Sequence, residues 1–421
     1  MLKDILFYSF AVIAIINTVH FGLYIAGANI YDIKQLRNKK NPKYRKVNPR
    51  PLVTVIVPAH NEESGIVKTL ESIRKSTYRK LQILVVDDAS TDKTRKLVWR
   101  YIKDHPRMDL HLLRKQKNVG KGEAINHALK TMTKGELFMT IDADSEIGKK
   151  SISNAVRHFD NPSIIGLAAN VQVQDEGSIL SLLQKFEHMI GYRSKKFYTI
   201  SNSEFIIGGV ASTYRTDLVR RAGYYDTDTL TEDIGLSLKL ANHYGNVNTR
   251  LIYASDVLAM TQGVQSFKAL FRQRYRWKMG MLQNMTKFGR LVMNNNPTYS
   301  RMLTMYRLPV AIFGEIVLLI EPILLVYIIY LSAITVNPAS LISAYMAITL
   351  YILWNIWPDE HLGINEKLRL SFYAPLMYFV FYIMNAVQLI AIIRCLKNNQ
   401  QVLRKKATGG TWVSPERAGA I

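Results

Sequence analysis

The sequence is poor in cysteine, in acidic residues and in repetition. Among 421 residues there is one cysteine, Cys395, which excludes an intramolecular disulfide and any multi-cysteine zinc site. That usage agrees with a reducing compartment. Acids number 32 against 55 lysines and arginines, a formal charge of +23. In a soluble protein such an excess points to a nucleic-acid partner. There is no internal repeat and no low-complexity segment, so the length fits one large domain or two ordinary ones.

The hydrophobic residues, 48% of the chain, are unevenly spread. Residues 6–27 form an apolar run long enough to cross a bilayer, which takes roughly 20 residues. No small-x-small cleavage site follows it, and it is long for a signal peptide. Further runs cover 309–333, 340–357 and 371–394. Between the first run and the polar region stands "KQLRNKKNPKYRKVNPR" (34–50), with eight cations and no acid. Such excess marks the cytoplasmic side, so membrane topology accounts for much of the charge and no nucleic-acid partner is expected. The amino terminus then lies outside and residues 50–300 inside. Three further crossings would leave the basic stretch 394–406 outside. One of the three runs is therefore expected not to cross, and the shortest, 340–357, is the choice. Trp354 and Trp357 are expected at a membrane boundary.

From Leu52 the pattern is strand, turn, helix, repeated. Strands are expected at 52–59, 81–90, 109–115 and 136–146, with helical periodicity opening at Asn61 and Glu62 and again after Ser90. This alternation implies a Rossmann-like α/β fold with a mainly parallel sheet, and ligands at the carboxyl ends of its strands. Asp87–Asp88 and Asp142–Asp144 fall at such ends. Side chains two apart on a strand end point the same way. The "DAD" carboxylates thus suit a hard divalent ion that also binds diphosphate oxygens. In "NVGKGEAIN" a glycine-bearing turn carries Lys121 into a helix, where it meets either a phosphate or solvent. "TED" (231–233) opens another helix. It reads as an N-cap with acids favoured by the dipole, or as a general base, Asp233, in a cleft.

Helices are also expected at 178–197 and 264–287. In the latter, "FRQRYRWKMG" puts Gln273, Arg276 and Trp277 on one face. An indole can stack on a sugar, and Arg and Gln can bind pyrophosphate and hydroxyls. Alternatively the basic helix lies on anionic lipid. Arg272, Arg274 and Lys278, off that face, are expected against headgroups. Glu315 and Glu321, costly within a span, either line a channel or, for Glu315, sit near the interface.

Taken in order, "VPAHNEE", "VVDDASTDKT", "NVGKGEAIN", "DAD", "TED" and "QRYRW" resemble the membrane-embedded, processive family 2 glycosyltransferases. The match covers about residues 50–290. "GYYDTDTLTEDIGLSLKL" and the tail "TWVSPERAG" are most similar to bacterial poly-β-1,6-N-acetylglucosamine synthases, which make a biofilm polysaccharide. The resemblance implies a GT-A catalytic domain at 51–263 after a transmembrane helix (1–33) and a basic linker (34–50). Interfacial helices (264–306), a transmembrane region (307–394) and a cytosolic tail (395–421) would follow, in a multi-pass protein of the inner or plasma membrane. It implies an inverting, metal-dependent polymerase using UDP-N-acetylglucosamine and passing the polysaccharide outward. Glu62, Asp88, Lys121, Asp142, Gln273 and Arg276 would bind the nucleotide-sugar, and Asp144 would ligate Mg²⁺ or Mn²⁺. Asp233 would be the base, Trp277 would hold the acceptor, and Trp412 and Arg417 would gate the site. "GGVAST" (208–213) would lie near the acceptor. The family also suggests a small membrane subunit. "DDAS" departs from it by carrying Ala89 where glycine is usual. Rival readings are a hyaluronan-, chitin- or cellulose-type synthase, a transferase to polyprenyl phosphate, or a nucleotide-binding transporter or receptor.

Overall fold

The computed structural model describes residues 2–40, 50–174, 177–334, 336, 338–398 and 400. The gating candidates Trp412 and Arg417, and most of the basic linker, lie outside these residues. The chain opens with helix α1 (Leu2–Lys40) and alternates through β1 (Val53–Ala59), α2 (Ile66–Arg74), β2 (Leu81–Asp87), α3 (Thr94–Asp104), β3 (Leu110–Arg114) and α4 (Lys121–Thr131). Then come β4 (Leu137–Thr140), β5 (Ser145–Ile147), α5 (Ser151–His158), β6 (Ile164–Val173), α6 (Ile179–Ile200), β7 (Ser212–Arg215), α7 (Thr216–Arg221), α8 (Glu232–Tyr244) and β8 (Arg250–Thr261). The last part is α9 (Phe267–Lys287), α10 (Leu308–Ile334), α11 (Ala339–Ile356) and α12 (Ile364–Lys397). Helix α1 continues beyond the expected span into the linker, as nothing before Pro42 would stop it.

The strand order is β3-β2-β1-β4-β7-β6-β8-β5. Pairing is parallel from β3 to β4. Beyond it β7 and β5 pair antiparallel with their neighbours, so the sheet is mixed. Every residue of β1 is buried. Val53, Val55 and Val57 pack on one face with Ile66 and Leu70 of α2, while Ile56 packs on the other with Ala124 and Leu129 of α4. The period of two divides the strand between two cores, as a sheet covered by helices on both faces requires.

Helix α2 starts at Ile66 rather than at Asn61, because Asn61 takes a left-handed backbone, φ 55°. Its side chain instead accepts from the Thr91 N–H at 2.8 Å and ties two strand-end loops together. Ala89, in the loop after β2, has φ 59°. That conformation is where glycine costs least and a Cβ crowds the backbone.

Among the described residues three helices are long and apolar enough to cross a membrane, at Phe7–Asn38, Met302–Ile334 and Ile364–Lys397, and a shorter apolar helix covers Leu341–Ile356. After α11 the chain returns to the α/β unit, where His361 Nε2 lies 2.9 Å from the Ser255 carbonyl oxygen. Helix α12 then begins with an ion pair from Glu366 to Lys185 of α6. It ends with Asn398 donating to the Tyr275 hydroxyl of α9 at 3.2 Å. Both ends of α12 are thus tied to other helices, Glu366 to α6 and Asn398 to α9.

Replacing Ala89 with glycine relieves the left-handed strain. The unfolding midpoint in denaturant should rise, by about 1 kcal/mol in stability.

Candidate active site

The carboxyl ends of the parallel strands open into a cavity of about 980 Å³ that reaches down to α10 and α12. Its upper wall carries Glu62, Lys121, Asp142 and Asp144, and its side carries Glu232 and Asp233. Gln273, Arg276 and Trp277 of α9 complete it, with Glu315 and Gln388 below.

Asp142 and Asp144 stand in a turn after β4, closed by the Ser145 N–H on the Asp142 carbonyl at 3.0 Å. Ala143 between them is 1% exposed and packs in the core, so both carboxylates remain on the cavity side. Ser145 Oγ donates to Asp144 Oδ1 at 2.9 Å. Among the described residues no group of three or more ligating side chains exists. A hard divalent cation fits this end as one bound through one or two carboxylates, with substrate oxygens and water as its other ligands.

Lys121 is the counter-charge. Its ammonium pairs with Asp142 and lies 3.9 Å from Glu232 Oε1. Burial opposes the charge, yet Asp142, Glu232 and Asp233 together hold its pKa above the usual lysine value. Glu232 responds in the other direction. Burial raises its pKa and the Asp233 charge adds to that, while Lys121 works against both. A methyl group on Gly209 would come within 2.7 Å of Lys121 Nζ and 3.7 Å of Asp233 Oδ2. The glycine of "GGVAST" thus leaves room for both side chains to meet the same space.

Asp88 differs from the other site candidates. It is fully buried and is not part of the cavity wall. Its carboxylate accepts from the N–H groups of Val119 and Gly120 at 2.9–3.1 Å, which fixes the turn that delivers Lys121. Burial raises its pKa against those bonds.

Helix α9 carries the aromatic-basic stretch "FRQRYRWKMG" and also clamps the loop before Asp233. Asn284 Nδ2 donates to the carbonyl of Thr231 at 3.1 Å, to its hydroxyl at 3.0 Å and to the Gly280 carbonyl at 3.0 Å. Gln283 Oε1 accepts from the Leu230 N–H at 2.9 Å. A Cβ on Gly280 would lie 2.8 Å from the Thr231 nitrogen, so only glycine permits this approach. Thr231 makes no side-chain cap to α8. Thr231 is still the N-cap residue, with Glu232 and Asp233 in the first turn, but its hydroxyl bonds to α9 instead of the helix start.

The cations expected at headgroups are partly elsewhere. Arg272 is exposed, but Arg274 is 4% exposed and donates to Glu187 Oε2 at 2.6 Å. Its guanidinium carbon also sits 4.3 Å from the Trp277 ring centroid. Lys278 pairs with Glu315 at 2.7 Å, so Glu315 faces the cavity rather than lipid. Glu321 accepts from Asn385 at 2.9 Å. Gln273 Oε1 is buried with no donor among the described residues.

The model of the family described as Glycosyl transferase family 2 matches residues 54–223. That match covers 170 of the chain's 421 residues. A poly-beta-1,6-N-acetyl-D-glucosamine synthase of Staphylococcus epidermidis is 27% identical over 231 residues, 54% of each chain. A second, from strain RP62A, is 26% identical over 392 residues, 87% of each chain. The matched part thus spans about half of the first relative and most of the second. A mannosyltransferase of Pyrobaculum calidifontis, solved with GDP-Man and Mn²⁺, shares the glycosyltransferase fold. The TM-score is 0.56 at 21% identity, over 94% of this chain and 99% of that one. The GT-A-like architecture with a helical apolar region is thereby established.

Gln283 and Asn284 were not singled out by sequence, and Glu232 only as an acid at a helix start. Their one legible signal is spacing, Asn284 lying four residues after Gly280 on the same helical face. Asn284→Ala should cost about 1–3 kcal/mol by leaving buried groups unpaired. Amide exchange across residues 229–235 should accelerate while the β1 and β2 amides stay protected.

Proposed function

We propose that this protein is an inverting, metal-dependent glycosyltransferase that extends a β-linked polysaccharide from UDP-N-acetylglucosamine at a membrane. The observation that carries this reading is the continuous cavity. One end offers carboxylates and a lysine suited to a nucleoside diphosphate, and the other runs into apolar helices. The names of the staphylococcal relatives support the sugar.

In this reading Asp144, with Asp142 beside it, holds Mg²⁺ or Mn²⁺. The cation, when bound, supplies charge stabilisation for the departing diphosphate. Lys121 exchanges its pairing with Asp142 for the diphosphate oxygens, and Glu62 borders the nucleotide-sugar. Asp88 contributes by fixing the Val119–Gly120 turn. Asp233 removes the proton from the acceptor hydroxyl as that oxygen attacks the anomeric carbon. The nucleotide leaves from the opposite face, so an α-linked donor yields a β-glycoside. Gln273 and Arg276 bind the diphosphate side, and Trp277, steadied by Arg274, stacks on the acceptor sugar.

We also propose a membrane arrangement, supported by the same contacts, in which α12 rather than 340–357 makes no net crossing. Helix α1 brings the chain in, and α10 and α11 form an out-and-back pair. The 18 residues of α11 span about 27 Å, close to the hydrocarbon thickness of about 30 Å. Helix α12 runs along the membrane-facing base, its exposed stripe of Leu368, Phe372, Phe379 and Ile390 toward lipid. The catalytic domain and carboxyl end are then both cytosolic, and the product leaves past Glu315 and Gln388.

Asp233→Asn should lower sugar transfer by about 100- to 10,000-fold, the usual contribution of a general base, with UDP affinity nearly unchanged by calorimetry. Transfer at the wild-type rate would remove Asp233 as the base. Cysteines at positions 361 and 398 should both react with an impermeant maleimide from the catalytic side alone. Labelling of either from the opposite face would refute the arrangement of α12.

A further inference from the structure

Beyond Asp233, at the end of the cavity away from the strand ends, lies a polar group without a role in the reading above. Glu204 is 4% exposed. One carboxylate oxygen, Oε1, accepts from the N–H groups of Phe205 and Ile206 at 3.0 and 2.8 Å. The other, Oε2, is buried with no hydrogen-bond donor among the described residues. Lys195 of α6 stands 3.8 Å from it and donates to the Ile206 carbonyl, which leaves further N–H groups on the ammonium. Arg307 completes the set. Its guanidinium carbon lies 3.9 Å from the Tyr198 ring centroid and 4.7 Å from that of Phe205, and its Nε is buried with no acceptor among the described residues.

Glu204, Lys195 and Arg307 all line the cavity. Arg307 ends a π-helical turn, Met302–Arg307, a rare geometry concentrated at functional sites. Tyr198 is bonded to Tyr24 of α1 at 2.7 Å, and Arg307 directly precedes α10. The group is thus bounded by two of the apolar helices, on the acceptor side of Asp233 rather than the nucleotide side.

The unmet valences specify a ligand. Glu204 Oε2 needs a donor, Arg307 Nε needs an acceptor, and the adjoining rings of Tyr198 and Phe205 offer an apolar wall. A phosphate fits poorly, since Glu204 would face it with a like charge. A secondary amide meets all three conditions. We propose that Glu204, Lys195 and Arg307 form an acceptor subsite for the acetamido group of the sugar at the growing end. Its N–H donates to Glu204 Oε2, its carbonyl accepts from Lys195 or Arg307, and its methyl rests against the rings. This inference rests on the polymer reading above.

Glu204→Gln tests it, because the amide keeps an acceptor for the two backbone N–H groups while turning the open oxygen into a donor. Purified full-length protein is given UDP-N-acetylglucosamine and two matched β-linked primers, one 2-acetamido and one 2-hydroxy. The wild type should prefer the acetamido primer in kcat/KM by about tenfold, the worth of one charge-assisted hydrogen bond. In E204Q the ratio should fall to within about threefold. Arg307→Gln, which removes the donor to the carbonyl, should show the same loss and carries the test where E204Q does not fold. UDP calorimetry reports folding for each variant. A variant that binds UDP and keeps the wild-type primer ratio overturns the subsite. So does transfer to polyprenyl phosphate that rises in E204Q, which would mark an anion site. A wild type that transfers to neither primer instead sinks the polymer reading.

Discussion

The ion pairs of Lys121 are the interaction on which the site depends. Asp142 comes from the end of β4, and Glu232 and Asp233 from the start of α8, elements far apart in sequence. Bringing three carboxylates and Asp144 into one low-dielectric cavity costs energy unless a cation is present. Lys121 is that cation, and its raised pKa measures how strongly the acids compete for it. A nucleoside diphosphate with its metal ion would enter an arrangement already balanced for charge, and would displace one pairing rather than create a new field.

The lysine is itself positioned by a buried carboxylate with no other visible task. Asp88 holds the Val119 and Gly120 amides and so sets where α4 begins. The acid at the second strand end thus works through the lysine.

On the opposite side, α9 couples the membrane-facing helices to the chemistry. It packs along α12, grips the 230–231 loop through Gln283 and Asn284, and presents Gln273, Arg276 and Trp277 to the cavity. Arg274 and Lys278, which look like lipid contacts in the sequence, are internal partners of Glu187 and Glu315. Local composition misled there because a basic amphipathic helix looks the same whether its counter-charges are lipids or carboxylates from another part of the chain.

What the sequence determined alone was the periodic part of the molecule. The strands β1 to β4, the helices after them and the long apolar helices are written in the spacing of their hydrophobic residues, which needs no partner to be read. The motifs at strand ends were legible for the same reason, since the end of an apolar run can be located without knowing its neighbours. Strands β5 to β8 were not singled out, because their pairing crosses distant segments and the antiparallel entry of β7 is decided in the sheet. Tertiary structure alone separated Asp88 from Asp142, drew the Thr231 hydroxyl to α9, turned Arg274 and Lys278 inward and tied both ends of α12 to α6 and α9. Each outcome depends on a hydrogen bond or ion pair between residues tens to hundreds of positions apart, and no local pattern encodes such a partner.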